Sequence, residues 1–295
     1  MINKIRELLI EFGISDEDSL KEFFPKVRDR DDISVLKCSS SDVILLSRSD
    51  HMELEHYESK ADYSYWGVEE HRLAMNLKRE DHQRRFDRHN HYFVNQDWLD
   101  VGTGEGGALE MFSSLTKSTR AIELQASTRE SLEKMGYSVK GNLADIQEGS
   151  CDLVTLFHVF EHFTDPIEQL KELKGKLRPG GRFIIEVPHA KDFLIKFLEL
   201  EAFKKFTFWS EHLILHTRQS LQVFMEAAGL VNVTVSGEQR YPLANHLHWL
   251  AKEKPGGQVR WGALRSDQLD DAYERQLLQL DMTDTLTAIG EVPEA

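Results

Sequence analysis

The chain reads as an α/β protein with a largely parallel sheet, and three stretches carry that reading. The first is Trp98-Leu99-Asp100-Val101-Gly102-Thr103-Gly104-Glu105-Gly106-Gly107, where apolar residues run into an acid, a glycine-rich turn and then a helical pattern from Ala108 to Leu115. This is a strand, a tight loop and a helix N-terminus. Glycine has no Cβ and accepts positive φ, so the N–H groups of such a loop approach a ligand closely. The second stretch is Cys151 to Pro166, an apolar strand and a loop, followed by helical spacing at Ile167, Leu170, Leu173 and Leu177. The third is the turn Leu177-Arg178-Pro179-Gly180-Gly181, which leads into the apolar strand 182–188. Strands alternating with helices place a nucleotide-like ligand beyond the carboxyl ends of the strands.

The glycine loop by itself fits two cofactors. Gly102, Gly104 and Gly107 satisfy G-x-G-x-x-G, the dinucleotide fingerprint. Asp100, Gly102, Gly104 and Gly106 equally satisfy D-x-G-x-G-x-G, a motif of class I S-adenosylmethionine (SAM) methyltransferases. Glu123 ends the next apolar segment, Thr119-Arg120-Ala121-Ile122-Glu123, at the separation expected of a ribose-binding carboxylate. Both cofactors carry a ribose, so Glu123 does not choose between them. A glycine turn with no ligand is the bland alternative.

The downstream segments discriminate. His158-Val159-Phe160-Glu161-His162-Phe163-Thr164-Asp165-Pro166 resembles the "hvlEHv-DP" segment that follows the fourth strand of class I SAM methyltransferases. The Pro179-Gly180-Gly181 turn resembles their "L-x-PGG" entry to the fifth strand. With the glycine loop and Glu123, four motifs occur in the family's order over residues 98–188. The resemblance implies SAM as cofactor and a Rossmann-like sheet of seven, mostly parallel strands with helices on both faces. Expected strands are 97–101, 119–123, 138–141, 152–157, 182–187, 231–236 and 246–251, the last two forming an antiparallel hairpin at one edge. Around the core, 93–257, lie a smaller N-terminal helical and hairpin region, 1–92, and a C-terminal helical tail, 258–295, with an insertion at 190–215.

The resemblance also implies roles by position. Gly102 and Gly104 would pass the backbone close to the methionine part and ribose of SAM. Asp100 would anchor the loop or accept from the SAM ammonium, and Glu123 would take both ribose hydroxyls. Asn142, after the third strand, matches the position that meets the adenine amine, while Phe157 and His158 would flank the cofactor. Glu161 and His162 match a pair that in the family often sets the following helix.

A sulfonium already activates the methyl group, so the protein must chiefly align an acceptor with it. A hydroxyl or carbon acceptor also needs a base near neutral pKa, which suits histidine. His189, just past Val187-Pro188, is the first candidate base, and His212, in Trp209-Ser210-Glu211-His212-Leu213, is the second; His216 and His246 trail. The plain alternative for each is a hydrogen-bonded loop histidine. The insertion, rich in Phe193, Phe197, Phe203, Phe206, Phe208 and Trp209, would shape an acceptor pocket, a covering helix pair or a dimer contact. Its 201–212 wording, with Arg240 to Leu250, resembles methyltransferases of sugar-nucleotide and surface-polysaccharide pathways. Glu211, Tyr241 and Asn245 are therefore expected to hold a sugar-like acceptor, the alternative being a plain connection between edge strands. Tyr65, in a cluster with Tyr57, Tyr63 and Trp66, is expected in a lid or acceptor wall, or equally in helix packing.

Composition bounds the partners. The 295 residues are 40% hydrophobic and 29% charged, ordinary for a globular domain. A net charge of −14 repels phosphate backbones, and the basic run from Lys78 to Arg88 is broken by Glu80, Asp81 and Asp87, reading as a solvated helix face. A small-molecule acceptor is expected rather than nucleic acid. No apolar run spans a bilayer, and the amphipathic N-terminus, with Ile5, Leu8, Leu9 and Phe12 on one face, is not a signal peptide. Only Cys38 and Cys151 are present, so no disulfide framework arises. A cytoplasmic protein without membrane insertion is expected, with a homodimer left open. No metal is expected: Cys38 lacks a second cysteine at zinc spacing, and His89-Asn90-His91 lacks a third ligand. Segments 33–38 and 43–46 read as short strands about a turn; Leu269, Tyr273, Leu277 and Leu280 mark a C-terminal helix, and 290–295 a frayed end.

Together these observations favour a SAM-dependent methyltransferase acting on an oxygen of a sugar or nucleotide sugar. The alternatives are C- or N-methylation, an NAD-dependent oxidoreductase, and a non-catalytic methyltransferase-like partner protein. The oxidoreductase leaves the Pro179-Gly180-Gly181 turn unexplained, and a non-catalytic partner has no need of both an intact loop and Glu123.

Overall fold

The computed structural model describes residues 3–52 and 68–294, with side chains in the second stretch from residue 79 onward. The Tyr57 to Trp66 cluster, Tyr65 included, lies outside the described residues.

Helix α1 (Lys4–Glu11) is capped by the Asn3 side chain, which accepts from Ile5 N and Arg6 N, and it buries Ile5, Leu8 and Leu9. Strands β1 (Leu20–Phe24), β2 (Val35–Cys38) and β3 (Ile44–Leu46) follow. Helix α2 (Val68–His89) then leads to the repeating core: β4 (Asp97–Val101), α3 (Gly107–Phe112), β5 (Ser118–Ile122), α4 (Ala126–Lys134), β6 (Val139–Lys140), β7 (Cys151–Phe157), α5 (Pro166–Lys176) and β8 (Leu177–Pro188). The insertion comprises α6 (Phe193–Lys196), α7 (Glu201–Thr207) and β9 (Ile214–Leu215). The chain closes with α8 (Arg218–Ala227), β10 (Val231–Glu238), α9 (Leu243–Lys252), α10 (Gly257–Arg260), α11 (Asp267–Leu280) and β11 (Thr285–Glu291).

The main sheet has seven strands in the order β10-β11-β8-β7-β4-β5-β6. The pairs β4–β5, β4–β7, β5–β6 and β7–β8 are parallel, whereas β11 runs antiparallel to both neighbours. Alternating side chains give the sheet two cores. Trp98, Ala121, Leu153 and Ile184 pack with Phe112 of α3 and Leu132 of α4. Leu99, Ile122, Val154, Phe183 and Ile185 pack on the other face with Leu170 of α5 and Phe224 of α8. The connections leave β4 toward β5 on one side and reach β7 on the other, so the order reverses there and opens a crevice at the strand ends.

Two expectations are corrected. Residues 246–251 are not the seventh strand but part of helix α9. Its buried residues Ala244, Asn245, His248 and Trp249 follow helical spacing, but several are polar while Leu247 and Leu250 face outward, which imitates alternation. The seventh strand is β11, inserted between β8 and β10; the helical pattern expected over 269–280 is α11, but the segment after it forms β11 rather than a tail, and residues 290–291, expected in a frayed end, belong to that strand. Leu286 and Ala288 are fully buried there. The strands β10 and β11 pair antiparallel but are separated by α9 to α11, so they do not form a hairpin.

The N-terminal hairpin is part of a second, four-stranded antiparallel sheet, β1-β2-β3-β9, whose last strand comes from the insertion. Arg28 N donates to Phe208 O at 2.9 Å, Ser210 Oγ donates to Asp29 at 2.6 Å, and the Arg28 guanidinium lies 4.7 Å from the Trp209 ring centroid. The insertion is thus fastened to the N-terminal sheet.

Candidate functional site

The chain leaves β4 at Gly102 with φ +68°, and a Cβ there would lie 2.6 Å from Val159 Cγ2. Both the backbone conformation and the close approach demand glycine. Among the described residues a Cβ on Gly104 would meet nothing within 4 Å, so the loop is open there toward them. Glu123 directly follows β5. Its carboxylate accepts from Gly104 N at 2.9 Å and Gln125 N at 2.8 Å, which holds the loop against the next strand. A carboxylate has about four acceptor positions, so two remain for a ligand diol.

Asp100 is buried in β4 and accepts from Thr155 Oγ1 of β7 at 2.6 Å. Thr155 in turn accepts from Trp98 Nε1 at 2.8 Å. Burial pushes Asp100 up to about 6, against the hydrogen bond from Thr155. Asp100 thus ties β4 to β7. Asn142 is exposed and accepts from Ala144 N at 2.9 Å, capping the turn after β6.

Beyond β7 the chain turns at His158, a non-glycine residue with φ +57°. Its Nδ1 lies 3.2 Å from Glu161 Oε1; its Nε2 lies 3.1 Å from Glu186 Oε1 and 2.7 Å from Arg240 Nη1. Burial works against protonation of this ring, as does Arg240, but the two carboxylates prevail and raise its pKa. Phe157 is covered by the Arg85 guanidinium, 4.7 Å from its ring centroid.

Helix α2 completes this wall, and here the sequence reading is corrected. The face read as solvated carries Asp81, Arg84 and Arg85, all packed against the sheet. Arg84 and Arg85 each reach the fully buried Glu186 of β8 at 2.6 Å. Asp81 bridges Arg85 at 2.9 Å and Arg240 at 2.7 Å. Burial alone would raise the pKa of both carboxylates, yet the surrounding arginines outweigh it and hold Asp81 and Glu186 ionised. Lower on the helix, His89 pairs with Glu238 at 3.2 Å. His82 packs on the glycine loop, where a Cβ on Gly107 would lie 2.3 Å from its Nε2. Two signals pointed to this wall: the helical spacing of Asp81, Arg84, Arg85 and Arg88, and a lone glutamate in the apolar run Phe183-Ile184-Ile185-Glu186-Val187. Buried charge requires a partner.

The histidines separate into two groups. His212 and His162 come together with Glu161. Their Nε2 atoms lie 3.8 Å and 4.0 Å from Glu161 Oε1, and their rings are 5.3 Å apart. Trp209 lies 5.1 Å from His212, and Leu213 N donates to Glu161 O at 2.9 Å, tying the insertion to the turn after β7. Burial, then His162, His158, Arg28 and Arg240, hold His212 far below the ordinary histidine pKa, so it is neutral at pH 7. His189 is elsewhere. It is 0% exposed, its Nδ1 meets Thr283 O at 2.9 Å, and burial depresses it to about 4. The position past β8 is therefore a sealed core position. His216 is equally enclosed: Nδ1 meets Ser220 Oγ at 3.0 Å and the ring stacks on Phe160. His246 pairs with the Tyr273 hydroxyl at 2.7 Å within the helical layer.

Among the expected acceptor residues, Glu211 is buried beside His212. Tyr241 lies under Arg240, 5.3 Å from its ring centroid. Asn245 accepts from Gly257 N at 3.2 Å and fastens α9 to α10, away from the histidine pair.

Residues 64–235, more than half of the chain, match the family described as "Methyltransferase domain". The chain belongs to this methyltransferase family. It is 27% identical over 117 residues to a probable S-adenosylmethionine-dependent methyltransferase of Mycolicibacterium smegmatis, covering 38% of this chain and 46% of that protein. It is 32% identical over 97 residues to a ubiquinone biosynthesis O-methyltransferase of Xanthomonas campestris pv. campestris, covering 30% and 41%. The chain thus spans less than half the length of these curated relatives. In fold it is similar to a SAM-dependent methyltransferase of Archaeoglobus fulgidus, with a TM-score of 0.50 and 19% identity over 72% of this chain and 94% of that one. Membership of this family makes S-adenosylmethionine the cofactor. Glu123 spends two of its acceptor positions on the loop and the following helix start, and the space beside Gly104 lies where the strand order reverses at β4.

Proposed function

We propose that this methyltransferase modifies a hydroxyl of a small polar acceptor, with a sugar or nucleotide sugar as the first class to test. When bound, the cofactor supplies a methyl group already activated as a sulfonium. The chain's own residues must then orient the acceptor, exclude water and activate its oxygen. The observation that carries the reading is the Glu161–His162–His212 cluster beside the end of β7. It offers neutral imidazole and carboxylate at the side of the crevice where an acceptor would enter. Trp209 beside it offers an apolar ring face to a sugar, and Arg240 with Tyr241 offers polar groups next to His158. A matched relative named as an O-methyltransferase supports oxygen over carbon or nitrogen.

The test is an acceptor screen with labelled SAM, followed by His212→Ala. The reading expects turnover to fall at least a hundredfold while S-adenosylhomocysteine affinity stays within about threefold, the signature of a group acting on the acceptor alone. Unchanged turnover would favour N-methylation, which needs no oxygen activation. Cofactor binding with no turnover on any acceptor would favour the non-catalytic partner.

A further inference from the structure

We propose that Glu161, His162 and His212 form a binding site for one divalent transition-metal ion, set at the mouth of the cofactor crevice. Sequence reading gave no reason for one, because the ligands come from two segments some fifty residues apart in the chain. The turn after β7 contributes Glu161 and His162, and the insertion contributes His212.

Five observations support the assignment. One ligand atom from each residue lies within 4.8 Å of the other two. Two ligands on one tetrahedral ion at about 2.1 Å stand roughly 3.4 Å apart, so the observed 3.8 Å and 4.0 Å need only small side-chain rotations. Glu161 is 0% exposed, and its Oε2 has no hydrogen-bond partner among the described residues, a state that is costly for a buried carboxylate unless a cation or proton donor meets it. His158 Nδ1 sits 3.2 Å from Glu161 Oε1, which orients the carboxylate as an outer partner orients a ligand. Finally, both histidine side chains keep partial exposure, 16% and 19%, so the site faces outward on one side. Two imidazoles and one carboxylate with an open position suit zinc, cobalt, manganese or ferrous iron.

The consequence rests on the O-methylation reading above. An acceptor hydroxyl bound at the open position would have its oxygen polarised by the cation. Its O–H bond would then break with the proton passing to Glu161 Oε2, and the electron pair left on oxygen would form the O–CH3 bond as the S–CH3 bond of the cofactor breaks, that bond's pair staying on sulfur in S-adenosylhomocysteine. No oxidant or reductant is involved.

The experiment uses the untagged full chain. Cobalt(II) is titrated in and followed by its visible absorption, with zinc(II) as competitor, on the wild type, His212→Ala and His162→Ala. Binding of S-adenosylhomocysteine serves as the fold check for each variant. Removing even an outer partner of a metal ligand weakens metal binding about 10–100-fold, so each ligand substitution should cost at least that much. One cobalt per chain, displaced by zinc and weakened at least tenfold in variants that still bind S-adenosylhomocysteine, supports the site. No cobalt binding, or equal affinity in both variants, overturns it. Should either alanine variant fail the fold check, Glu161→Gln is measured against the same criteria. Turnover that persists after removal of all metal overturns the catalytic role while leaving the O-methylation reading intact. Metal binding without any S-adenosylhomocysteine binding would leave the site and overturn the cofactor reading.

Discussion

His216 offers a sharp test of how this fold responds to acid. It is 0% exposed, stacks on Phe160 at 5.4 Å, and meets Phe224 edge-on at 5.4 Å. Its Nε2 has no hydrogen-bond partner among the described residues. Burial alone lowers its pKa from 6.5 to about 3. A depressed folded-state pKa contributes stability that is present above pH 6.5 and is lost as pH falls toward 3, because the unfolded chain takes up a proton that the folded chain refuses. Between pH 7 and pH 5 the unfolded histidine goes from mostly neutral to almost fully protonated, which removes about 2 kcal/mol of stability through this one group. His216→Phe keeps the ring stack and abolishes the proton uptake. Ser220, which meets Nδ1 now, retains its bonds to Thr217. Urea unfolding of both proteins at pH 7 and pH 5 measures the difference. At pH 7 the variant should lie within about 1.5 kcal/mol of the wild type, the net worth of one hydrogen bond. On going to pH 5 the wild type should lose about 2 kcal/mol more than the variant. Parallel losses, within about 0.5 kcal/mol, would refute the argument that burial keeps His216 neutral. The stack matters to the site as well, since Phe160 begins the turn that presents Glu161 and His162.

Other consequences follow from the same geometry. Gly102→Ala places a Cβ 2.6 Å from Val159 at φ +68°, so it should cost about 1–3 kcal/mol of stability and weaken S-adenosylhomocysteine binding more than tenfold, read by thermal unfolding and calorimetry. Glu123→Gln should reduce cofactor affinity about 10–100-fold, the value of a charge-assisted hydrogen bond, with little change in acceptor KM. Arg85→Met leaves buried Glu186 one cation short and should destabilise the fold by about 3–5 kcal/mol in chemical denaturation. Removing residues 285–295 strips β11 from the middle of one half of the sheet, so the truncated chain should fail to fold; a soluble product with wild-type circular dichroism would contradict the observed strand order.

Sequence reading served best where a local backbone requirement dictates the residue. Gly102 is fixed by its own φ and by Val159, and Glu123 by its place one residue beyond β5, so both were legible without a fold. It served worst where tertiary context reverses the usual meaning of polarity. Helix α9 buries Asn245, His246 and His248 because each finds a specific partner in Gly257, Tyr273 or Lys254, while Leu247 and Leu250 face outward. Strand β11 mixes two threonines, an alanine, a glycine and a glutamate with Leu286 and Ile289, and burial on both faces comes from insertion between β8 and β10. The charges of α2 looked solvent-facing because their partners, Glu186, Glu238 and Arg240, lie more than a hundred residues away. The meeting of His212 with Glu161 and His162 likewise depends on the insertion folding back onto the N-terminal sheet, which no local pattern announces.

The central claim is that the loop from Gly102 to Gly107, braced by Glu123, holds S-adenosylmethionine. Calorimetric titration of the full chain with S-adenosylhomocysteine, and in parallel with NADH, tests it most directly. The account predicts one saturable S-adenosylhomocysteine site per chain, weakened in Glu123→Gln, and no heat of binding from NADH. Saturable NADH binding that depends on Glu123, with none for S-adenosylhomocysteine, would contradict it.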